Sequence, residues 1–514
     1  MSNNISNLFF IAANQFPERL AIIEKNKSIT YKNLQQKVHD TSAYFIKKGI
    51  VKGDRVLVFV PMGIDLYSIV LALFNIGATA VFLDEWVNKE RLQICCKIAA
   101  CKGFIAPLKI RLLSFFLSET RKIPIKLSST KTIENAIANG VDVDGNDVAL
   151  ITFTTGSTGI PKAAKRTHQF LNYQFQALEP VMNKVNIDVS MTMLPIVLFM
   201  NLGTGKTSVI ADFKVTKPAS FNPSSIFEQL NTYQVQELIA SPYYTLALAA
   251  YMQSENLKLP IIKQIITGGA PVFPDDAGAI SKTFPNTKFT VVYGSTEAEP
   301  ISECNGHELF LEYHNLSDGL YVGEIDANCE LAILPIHEDE IMPLDENDFT
   351  KMMLPKNEIG EICVTGNHVL KEYINNPEAI KKNKINVGGK IWHRTGDAGF
   401  VQQGKLFLFG RCKQIIHWQG KIFYPFLFES DFMNKHHVFG TIISDDNKPV
   451  VIIETPNEIA LQRIKLDLMN EDKRYEDIEF MSIPQIPRDK RHHSKIDYDA
   501  LTLLYKKTKK PFNQ

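Results

Sequence analysis

Segments typical of strands and of helices alternate along the chain from about residue 30 to residue 293. The clearest unit runs from a strand at 55–60 through a helix at 64–75 to a strand at 79–83, and Thr30 is placed to cap a preceding helix over 31–47. Similar alternation returns around 191–194, 226–233, 237–240, 261–267 and 289–293. Because parallel strands need helical crossovers between them, this order predicts an α/β fold, a parallel sheet with helices on both faces.

The pattern changes after about Lys356 to short strands separated by glycines, at 360–364 and 406–409. This texture predicts an antiparallel or barrel-like portion that completes a large domain. Since 514 residues are too many for one core, a second domain is expected, and the part of the chain after 410 is long enough for a small α+β domain. We therefore predict a large N-terminal domain of parallel and mixed sheets at 1–409 and a small mobile domain at 410–514, with the boundary at 410–413.

Composition excludes some classes of partner. Lysine plus arginine and aspartate plus glutamate both number 56, so no nucleic-acid partner is expected. The longest apolar region, Val56–Leu83, is interrupted by Pro61, Asp65 and Asn75, and we expect no transmembrane segment. Seven cysteines without a CxxC pair indicate reduced thiols, and the first residues lack the pattern of a signal peptide. The expected location is cytoplasmic.

A loop of small and hydroxylated residues follows a predicted strand at 147–153. It consists of Thr154, Thr155, Gly156, Ser157, Thr158, Gly159, Ile160, Pro161 and Lys162. Backbone NH groups at such a strand end can converge on anionic oxygens, and the hydroxyls and the lysine add donors, so the loop predicts a polyphosphate site; an ordinary turn is the alternative. The segment 203–207 imitates the end of a Walker motif, but Met200 stands where that motif needs glycine. We interpret it as a connection between strands.

Six further segments follow in order. They are Thr267-Gly268-Gly269-Ala270-Pro271, Tyr293-Gly294-Ser295-Thr296-Glu297, the glycine-rich stretch 360–378, Arg394-Thr395-Gly396-Asp397, Gly410-Arg411-Cys412-Lys413 and the basic segment 487–496. Together with the loop at 154–162 they resemble the motifs of the adenylate-forming superfamily, which contains acyl-CoA synthetases, luciferases and the adenylation domains of peptide synthetases. Each match is modest when taken alone, but their common order makes coincidence implausible.

The resemblance implies ATP and Mg²⁺ as cofactors and assigns roles to single residues. Tyr293 is expected to stack on adenine, Asp397 to accept the ribose hydroxyls, and Glu297 to hold Mg²⁺. The implied catalytic residues are Lys495, Thr296 and Glu297. The implied nucleotide-binding residues are Thr154, Thr155, Gly156, Ser157, Thr158, Lys162, Gly268, Gly269, Ala270, Pro271, Tyr293, Gly294, Asp397 and Arg411. Lys413 is the implied hinge, and the stretch 360–378 receives no direct chemistry.

The implied reaction joins two anions, a carboxylate and the α-phosphate of ATP. Two unit charges about 4 Å apart repel by roughly 1 kcal/mol in water and by about 4 kcal/mol at an effective dielectric constant of about 20. Mg²⁺ at Glu297, together with Lys162 and Lys495, would offset this repulsion. No general base is needed, because the attacking carboxylate is already ionised at neutral pH. The expected products are an acyl adenylate and pyrophosphate.

The second step is left open by departures from the family pattern. Ala163 replaces the usual glycine, the stretch 194–199 lacks a histidine that many acyl-CoA synthetases carry, Gln414 replaces a common aspartate, and Ser494 precedes Lys495. Several departures resemble the β-lactone synthetases of olefin biosynthesis, in which the β-hydroxyl of the substrate attacks the adenylate. A fatty or other hydrophobic acyl-CoA ligase, with coenzyme A as co-substrate, is placed slightly ahead. β-Lactone formation, transfer to a carrier protein and a non-catalytic nucleotide-binding protein are the alternatives. The apolar run 196–200 suggests an apolar carboxylic acid, although core packing explains it equally well.

Overall fold

A computed structural model describes residues 3–83, 89–154, 161–213, 220–355, 357–455, 457–488 and 496–509. The helices are α1 Ser6–Gln15, α2 Tyr31–Lys47, α3 Ile64–Asn75, α4 Lys89–Ala99, α5 Leu108–Leu113, α6 Ser118–Lys122, α7 His168–Met182, α8 Pro195–Thr204, α9 Pro223–Thr232, α10 Pro242–Ser254, α11 Pro274–Thr283, α12 Gly306–Glu312, α13 Glu346–Met352, α14 Pro377–Asn383, α15 Pro425–His436, α16 Glu458–Glu471 and α17 Tyr498–Lys509.

The strands of the first half of the chain are β1 Leu20–Glu24, β2 Lys27–Thr30, β3 Arg55–Val58, β4 Thr79–Phe82, β5 Gly103–Ala106, β6 Ile125–Ser128, β7 Val148–Thr154, β8 Lys162–Thr167, β9 Val189–Thr192, β10 Thr207–Ile210 and β11 Glu237–Ala240. Those of the second half are β12 Gln264–Gly268, β13 Lys288–Ser295, β14 Ala298–Asn305, β15 Leu320–Ile325, β16 Glu330–Leu334, β17 Gly360–Thr365, β18 Lys384–Val387, β19 Lys390–Gln402, β20 Lys405–Arg411, β21 Ile416–Trp418, β22 Lys421–Phe423, β23 Gly440–Asp445, β24 Lys448–Glu454 and β25 Glu479–Ile483.

Local sequence explains the elements that were easiest to predict. The Thr30 side chain accepts a hydrogen bond from the Asn33 backbone N at 3.2 Å and starts α2, as expected of a capping threonine. Apart from Asp65 in its first turn, helix α3 is buried along its length and has apolar residues on every side, which is why it lies between layers of the core. The predicted bounds of α2 and α3 are confirmed, whereas β3 is shorter than the predicted strand.

One sheet has the strand order β6-β5-β3-β4-β7-β8. The pairs from β6 to β7 are parallel, and only β8 is antiparallel to its neighbour. Because the carboxyl ends of parallel strands meet at one edge of a sheet, Thr154 at the end of β7 lies at the same edge as the ends of β3, β4 and β5.

The second sheet follows the path β16-β17-β19-β20-β15-β14-β13-β12-β11-β9-β10-β1-β2, with β18 added beside β19. Strands β9 to β13 pair in parallel, and the chain turns antiparallel at β13–β14. The strands after Lys356, β17 to β20, therefore form the antiparallel portion that their glycine-rich texture predicts, and β14, β15 and β16 before them also pair antiparallel. They extend the sheet outward to β16 at its end, so no closed barrel forms among the described strands.

The part of the chain after Arg411 forms two further small sheets, the hairpin β21–β22 and the three strands β23-β24-β25. Its core comes from β23, β24, α15 and α16, with Ile442, Val451 and Leu468 among the buried side chains. This is the expected α+β composition. The cysteines, which all lie in the described part of the chain, form no disulfide. In the described part of the chain, no helix has both the length and the apolar character required to cross a membrane.

Candidate active site

The hairpin β7–β8 brings the two ends of the predicted phosphate loop together. Thr154 and Lys162 are paired across the two strands, and the predicted residues Thr155, Gly156, Ser157 and Thr158 lie outside the described residues. The Lys162 Nζ donates to Asn383 Oδ1 at 2.9 Å and lies 5.4 Å from the ring centroid of Tyr373. Burial lowers the pKa of Lys162, and the nearby carboxylate of Glu297 opposes that change.

Glu297 connects the two sheets through its side chain. Its Oε1 accepts hydrogen bonds from Thr154 Oγ1 at 3.3 Å and from the Tyr373 hydroxyl at 3.2 Å, and the residue is 9% exposed. Its carbonyl also accepts from the Leu370 backbone N at 2.7 Å. The carboxylate is therefore held from two separate parts of the chain, the strand that ends in the predicted phosphate loop and the stretch that carries Tyr373, and Leu370 of that stretch also fixes the Glu297 backbone.

Two buried cations flank this carboxylate. Arg166 Nη2 donates to the carbonyl of Thr296 at 2.9 Å, directly before Glu297. The Nζ of Lys384 donates to the carbonyl of Leu370 and lies 5.4 Å from the Tyr373 ring centroid. Burial lowers the pKa of Lys384 to about 7, against the opposing effect of Glu297.

Sequence reasoning missed these supporting residues. Tyr373 lies in the glycine-rich stretch to which the sequence analysis assigned no direct chemistry, and its hydroxyl contacts the predicted metal ligand Glu297. Its position in that motif is a signal that could have identified it. Arg166 and Lys384 carry no such signal, because nothing in the local sequence shows that their charges become buried beside the site.

A second group forms where β19 and β20 pair. Their register sets Asp397 opposite Arg411, and Arg411 Nη1 lies 3.2 Å from Asp397 Oδ1. The hydroxyl of Tyr293, at the end of β13, donates to Asp397 Oδ2 at 2.7 Å. Burial, together with the negative charge of Asp397, raises the pKa of Tyr293 well above its usual value. Three residues predicted from separate motifs thus form one contiguous cluster.

The segment of β19 that carries Asp397 is anchored by a buried ion pair. Arg394 Nη2 lies 2.6 Å from Glu361 Oε2, and both side chains are 5% exposed. The other Glu361 oxygen accepts from the Gly396 backbone N at 3.2 Å, and Asp397 N donates to Thr395 Oγ1 at 3.0 Å. Because breaking a buried ion pair leaves an uncompensated charge, this arrangement resists displacement of the β19 segment that carries Asp397.

Backbone packing explains the glycines of the two central motifs. Gly268 is paired with Val292 in the parallel strands β12 and β13, and a Cβ at Gly268 would lie 2.7 Å from the Val292 carbonyl oxygen. A Cβ at Gly294 would lie 2.8 Å from the carbonyl oxygen of Ala298. Gly269 has a φ of +80°, a conformation that favours glycine. The strand pairing thus sets Gly268 beside the backbone that leads to Tyr293, and Gly269, Ala270 and Pro271 follow directly in the chain.

The residues present fit ATP and Mg²⁺. Among the described residues no group of three or more His, Cys, Asp or Glu side chains could hold a metal. Mg²⁺ in nucleotide sites is usually held by one or two carboxylates and by phosphate oxygens, so Glu297 is a suitable protein ligand. Each Asp397 oxygen engages one partner, Tyr293 or Arg411, and retains a lone pair that can accept from a ribose hydroxyl.

Lys495 lies within the segment 489–495, outside the described residues. The residues on either side, Arg488 and Ile496, form an antiparallel bridge. Arg488 Nη2 lies 2.9 Å from Glu454 Oε2, and the Asp497 backbone N donates to the carbonyl of Pro487 at 2.9 Å. Both ends of the segment that contains Lys495 are therefore fixed to the sheet β23-β24-β25.

The Walker-like segment 203–207 is structural. Gly205 ends α8 with a φ of +79°, and Thr207 begins β10. Lys206 is buried, and its Nζ donates to the carbonyl of Met182 at 3.0 Å and to Glu237 at 3.3 Å. This lysine is committed to a buried ion pair, which confirms that the segment is a connection and shows that it joins a helix to a strand.

Comparisons with known proteins identify the family of the chain. The family model for AMP-binding enzymes matches residues 9–374. An olefin beta-lactone synthetase of Stenotrophomonas maltophilia is 28% identical over 414 residues, 75% of this chain and 73% of that protein. The 4-coumarate–CoA ligase 3 of Arabidopsis thaliana is 23% identical over 478 residues, 88% of this chain and 81% of that protein.

Among solved structures, the O-succinylbenzoate coenzyme A synthetase of Bacillus subtilis in complex with AMP superposes with a TM-score of 0.77 at 20% identity, covering 96% of this chain and 98% of that one. This likeness confirms the α/β fold. The family match spans the strand that ends at Thr154, the motif around Glu297 and the stretch that supplies Tyr373. The chain therefore belongs to the AMP-binding enzymes, and it is an ATP-dependent ligase of the adenylate-forming, AMP-releasing kind.

Proposed function

We propose that this ligase activates an apolar 3-hydroxy carboxylic acid as its acyl adenylate and then closes the product to a β-lactone. The first step is supported by the arrangement of Glu297, held by Thr154 and Tyr373, beside Lys162. The second step is supported by similarity, since two olefin beta-lactone synthetases match at 28% identity, against 23–24% for 4-coumarate–CoA ligases.

In the first step, a carboxylate oxygen of the acid forms a bond to the α-phosphorus of ATP, and the bond from that phosphorus to pyrophosphate breaks. We assign Tyr293 to the adenine, Asp397 and Arg411 to the ribose, and Thr296 to phosphate. Bound Mg²⁺ supplies positive charge against the phosphates, and Glu297 is its protein ligand. Lys162 at the start of β8 and Lys495 in the C-terminal segment neutralise the remaining charge.

Tyr373 and Arg166 act on this step as positioning residues. The Tyr373 hydroxyl and Thr154 both donate to the same Glu297 oxygen, which leaves Oε2 available for a metal. Arg166 holds the carbonyl of Thr296 and thereby the backbone that carries Glu297. Outer partners of this kind orient a ligand and tune its affinity for the metal.

An apolar acid is supported by the packing of apolar side chains around α7 and α8. Leu198 and Met200 are buried in the core, whereas Val197 and Leu194 are only partly buried and pack against a cluster with Ile266 and Val292. Ile266 lies two positions before Gly268, and Val292 lies directly before Tyr293. The predicted apolar run therefore divides into core residues and residues that border the adenine-side backbone.

In the second step, the oxygen of the 3-hydroxyl attacks the acyl carbonyl carbon, the bond from that carbon to AMP breaks, and the hydroxyl proton passes to solvent. A tethered nucleophile has a high effective concentration, so no second substrate is required. The first turn of α8 begins with Pro195, Ile196 and Val197 and presents no histidine. Transfer to coenzyme A remains the second candidate because 4-coumarate–CoA ligases also match most of the chain.

Product analysis distinguishes these outcomes. The purified protein is incubated with ATP, Mg²⁺ and either a 3-hydroxy fatty acid or the same acid without the hydroxyl, with and without coenzyme A. We expect AMP, pyrophosphate and a product lighter than the hydroxy acid by one water, formed without coenzyme A. A thioester formed from both acids would assign the second step to coenzyme A, and no pyrophosphate from any acid would refute the proposal altogether.

Lys495→Ala tests the assignment of the lysine. We expect acid-dependent pyrophosphate release to fall by roughly a hundredfold or more, because a cation at the reacting phosphate is lost, while ATP binding changes by less than about threefold. Lys490→Ala, in the same segment, is the matched control and should retain activity. Equal losses of binding and of turnover in Lys495→Ala would show that this lysine has another role.

A further inference from the structure

An exposed apolar surface lies on the crossover between β5 and β6, apart from the candidate active site. Helix α5 begins two residues after β5, and a 3-10 turn follows at Ser114–Phe116. Five large apolar side chains within nine residues are solvent-exposed: Leu108 by 64%, Leu112 by 57%, Leu113 by 56%, Phe115 by 50% and Phe116 by 82%. We call these five residues the α5 patch.

The residues of the α5 patch lie close together along α5 and the 3-10 turn that follows it. Leu108 and Leu112 are four residues apart on one helix and lie on the same face. Phe115 and Phe116 follow within a further turn. Ser114, which separates Leu113 from Phe115, is buried and points toward the protein. Scattered exposed apolar residues need no explanation, but a contiguous group of leucines and phenylalanines marks a surface that meets another apolar phase.

Cations surround the α5 patch. Residues 107–126 contain Lys109, Arg111, Arg121, Lys122 and Lys126 against one acidic residue, Glu119, which pairs with Lys122 at 2.6 Å. The Nζ of Lys126 lies 5.0 Å from the ring centroid of Phe115, so positive charge directly adjoins the apolar surface. The whole chain is neutral, with 56 residues of each sign, and this excess of positive charge is local.

We propose that the α5 patch binds the enzyme reversibly to the surface of an anionic lipid bilayer. Its leucine and phenylalanine side chains enter the interfacial layer, and the exposed cations Lys109, Arg121 and Lys122 beside them face the negative headgroups. The apolar stretch is far too short to span a bilayer, so the association is interfacial. Charge complementarity distinguishes this partner from an uncharged apolar protein surface.

The location suits an enzyme that takes an apolar acid. Helix α5 leaves the carboxyl end of β5, the sheet edge at which Thr154 also lies. Three strand spacings separate β5 from β7 in the order β5-β3-β4-β7, which amounts to about 14 Å. A surface that rests there on a bilayer sets the edge carrying the phosphate loop close to the phase in which such an acid dissolves.

Vesicle sedimentation tests the proposal without relying on activity. The full-length protein is mixed with vesicles of phosphatidylcholine alone or of phosphatidylcholine and phosphatidylglycerol. We expect binding to the anionic vesicles that weakens as salt is added, and a partition coefficient that falls roughly tenfold or more in Leu112→Ser/Phe116→Ser. Leu311→Ser/Leu344→Ser is the control, since Leu311 is 74% and Leu344 93% exposed elsewhere on the surface, and it should bind like the unchanged protein.

Lys109→Gln/Arg121→Gln separates charge from apolar contact and should also reduce binding to the anionic vesicles by several fold. Equal binding to both vesicle types, or equal binding by the patch and control variants, would overturn the proposal. So would a change of oligomeric state caused by Leu112→Ser/Phe116→Ser in size-exclusion chromatography with light scattering, because the patch would then be an interface between copies of the chain.

Discussion

Tyr373 is the side chain whose contribution changes most when the folded chain is considered. Its hydroxyl donates to the carboxylate of Glu297, and the ammonium groups of Lys162 and Lys384 each lie 5.4 Å from its ring centroid. A phenol can donate to a carboxylate with its oxygen and attract cations with its ring face. This residue thus links the predicted metal ligand to the cations that surround it.

Tyr373→Phe removes the hydroxyl and keeps the ring. We expect the Mg²⁺ concentration for half-maximal pyrophosphate release to rise about tenfold, because Glu297 loses a hydrogen bond that orients its carboxylate. A titration of Mg²⁺ at saturating ATP and acid measures this change. Tyr313→Phe removes a hydroxyl that contacts Lys405 away from the site and serves as the control. An unchanged Mg²⁺ dependence in Tyr373→Phe would show that the hydroxyl has no part in metal binding.

Among the elements, α15, β23 and α17 meet at one carboxyl group. Glu429 of α15 accepts a hydrogen bond from Thr441 of β23 at 2.8 Å and another from the hydroxyl of Tyr498, the first residue of α17. Burial raises the pKa of Glu429 to about 7, and the hydrogen bonds from Tyr498 and Thr441 oppose that rise. Helix α17 begins soon after the segment that contains Lys495, so this cluster fixes the chain on the C-terminal side of that segment.

The pKa of Glu429 predicts how stability depends on pH. The folded protein binds the proton up to about pH 7, whereas the unfolded chain releases it near its ordinary value of about 4.3. The stabilisation is therefore fully present below the unfolded pKa and is lost as the pH rises through 7. Glu429→Gln imitates the protonated form, so from pH 5 to pH 8.5 its Tm should fall by roughly 2–4 °C less than that of the unchanged protein.

Differential scanning fluorimetry across that pH range measures the effect. Glu471→Gln is the control, because Glu471 lies on the surface in an ion pair with Lys435 and its removal should leave the pH dependence unaltered. Parallel pH profiles for Glu429→Gln and the unchanged protein would show that Glu429 titrates normally.

Taken as two parts, the molecule places its proposed hinge beside the residues that we assign to the ribose. Strand β20 ends at Arg411, which contacts Asp397, and a 3-10 turn at Cys412–Gln414 follows immediately. In the arrangement described, Phe426 packs against Phe273 with ring centroids 5.2 Å apart and also contacts Gly410. We propose that the C-terminal part rotates about Lys413, bringing Lys495 to the phosphates for the first step and removing it for the second.

Lys413→Pro tests this rotation, since proline fixes φ and removes a backbone donor. We expect the variant to retain one half-reaction within about threefold and to lose roughly a hundredfold in the other, measured as pyrophosphate exchange and as conversion of separately prepared acyl adenylate. Lys413→Ala removes the charge while leaving the backbone free, and it should keep both half-reactions. Two normal half-reactions in Lys413→Pro would place the pivot elsewhere.

The amino-acid sequence alone specified features that depend on local spacing. Periodicity predicted the bounds of α2 and α3. The resemblance to adenylate-forming enzymes grouped Tyr293, Asp397 and Arg411, which the structure brings into contact, and their role in nucleotide binding stays a prediction. Such signals are readable because capping, strand alternation and glycine placement act over a few neighbouring residues.

The contacts that organise the site arose only when the chain folded. Glu297 and Thr154 are 143 positions apart, and Lys162 and Asn383 are 221 apart. Which strands become neighbours likewise decides that Arg166 and Lys384 are buried. It also decides that the antiparallel strands end at β16 rather than closing into a barrel. Pairing across such separations is chosen by the packing of whole sheets against one another, and this free energy is not contained in any single stretch of the sequence.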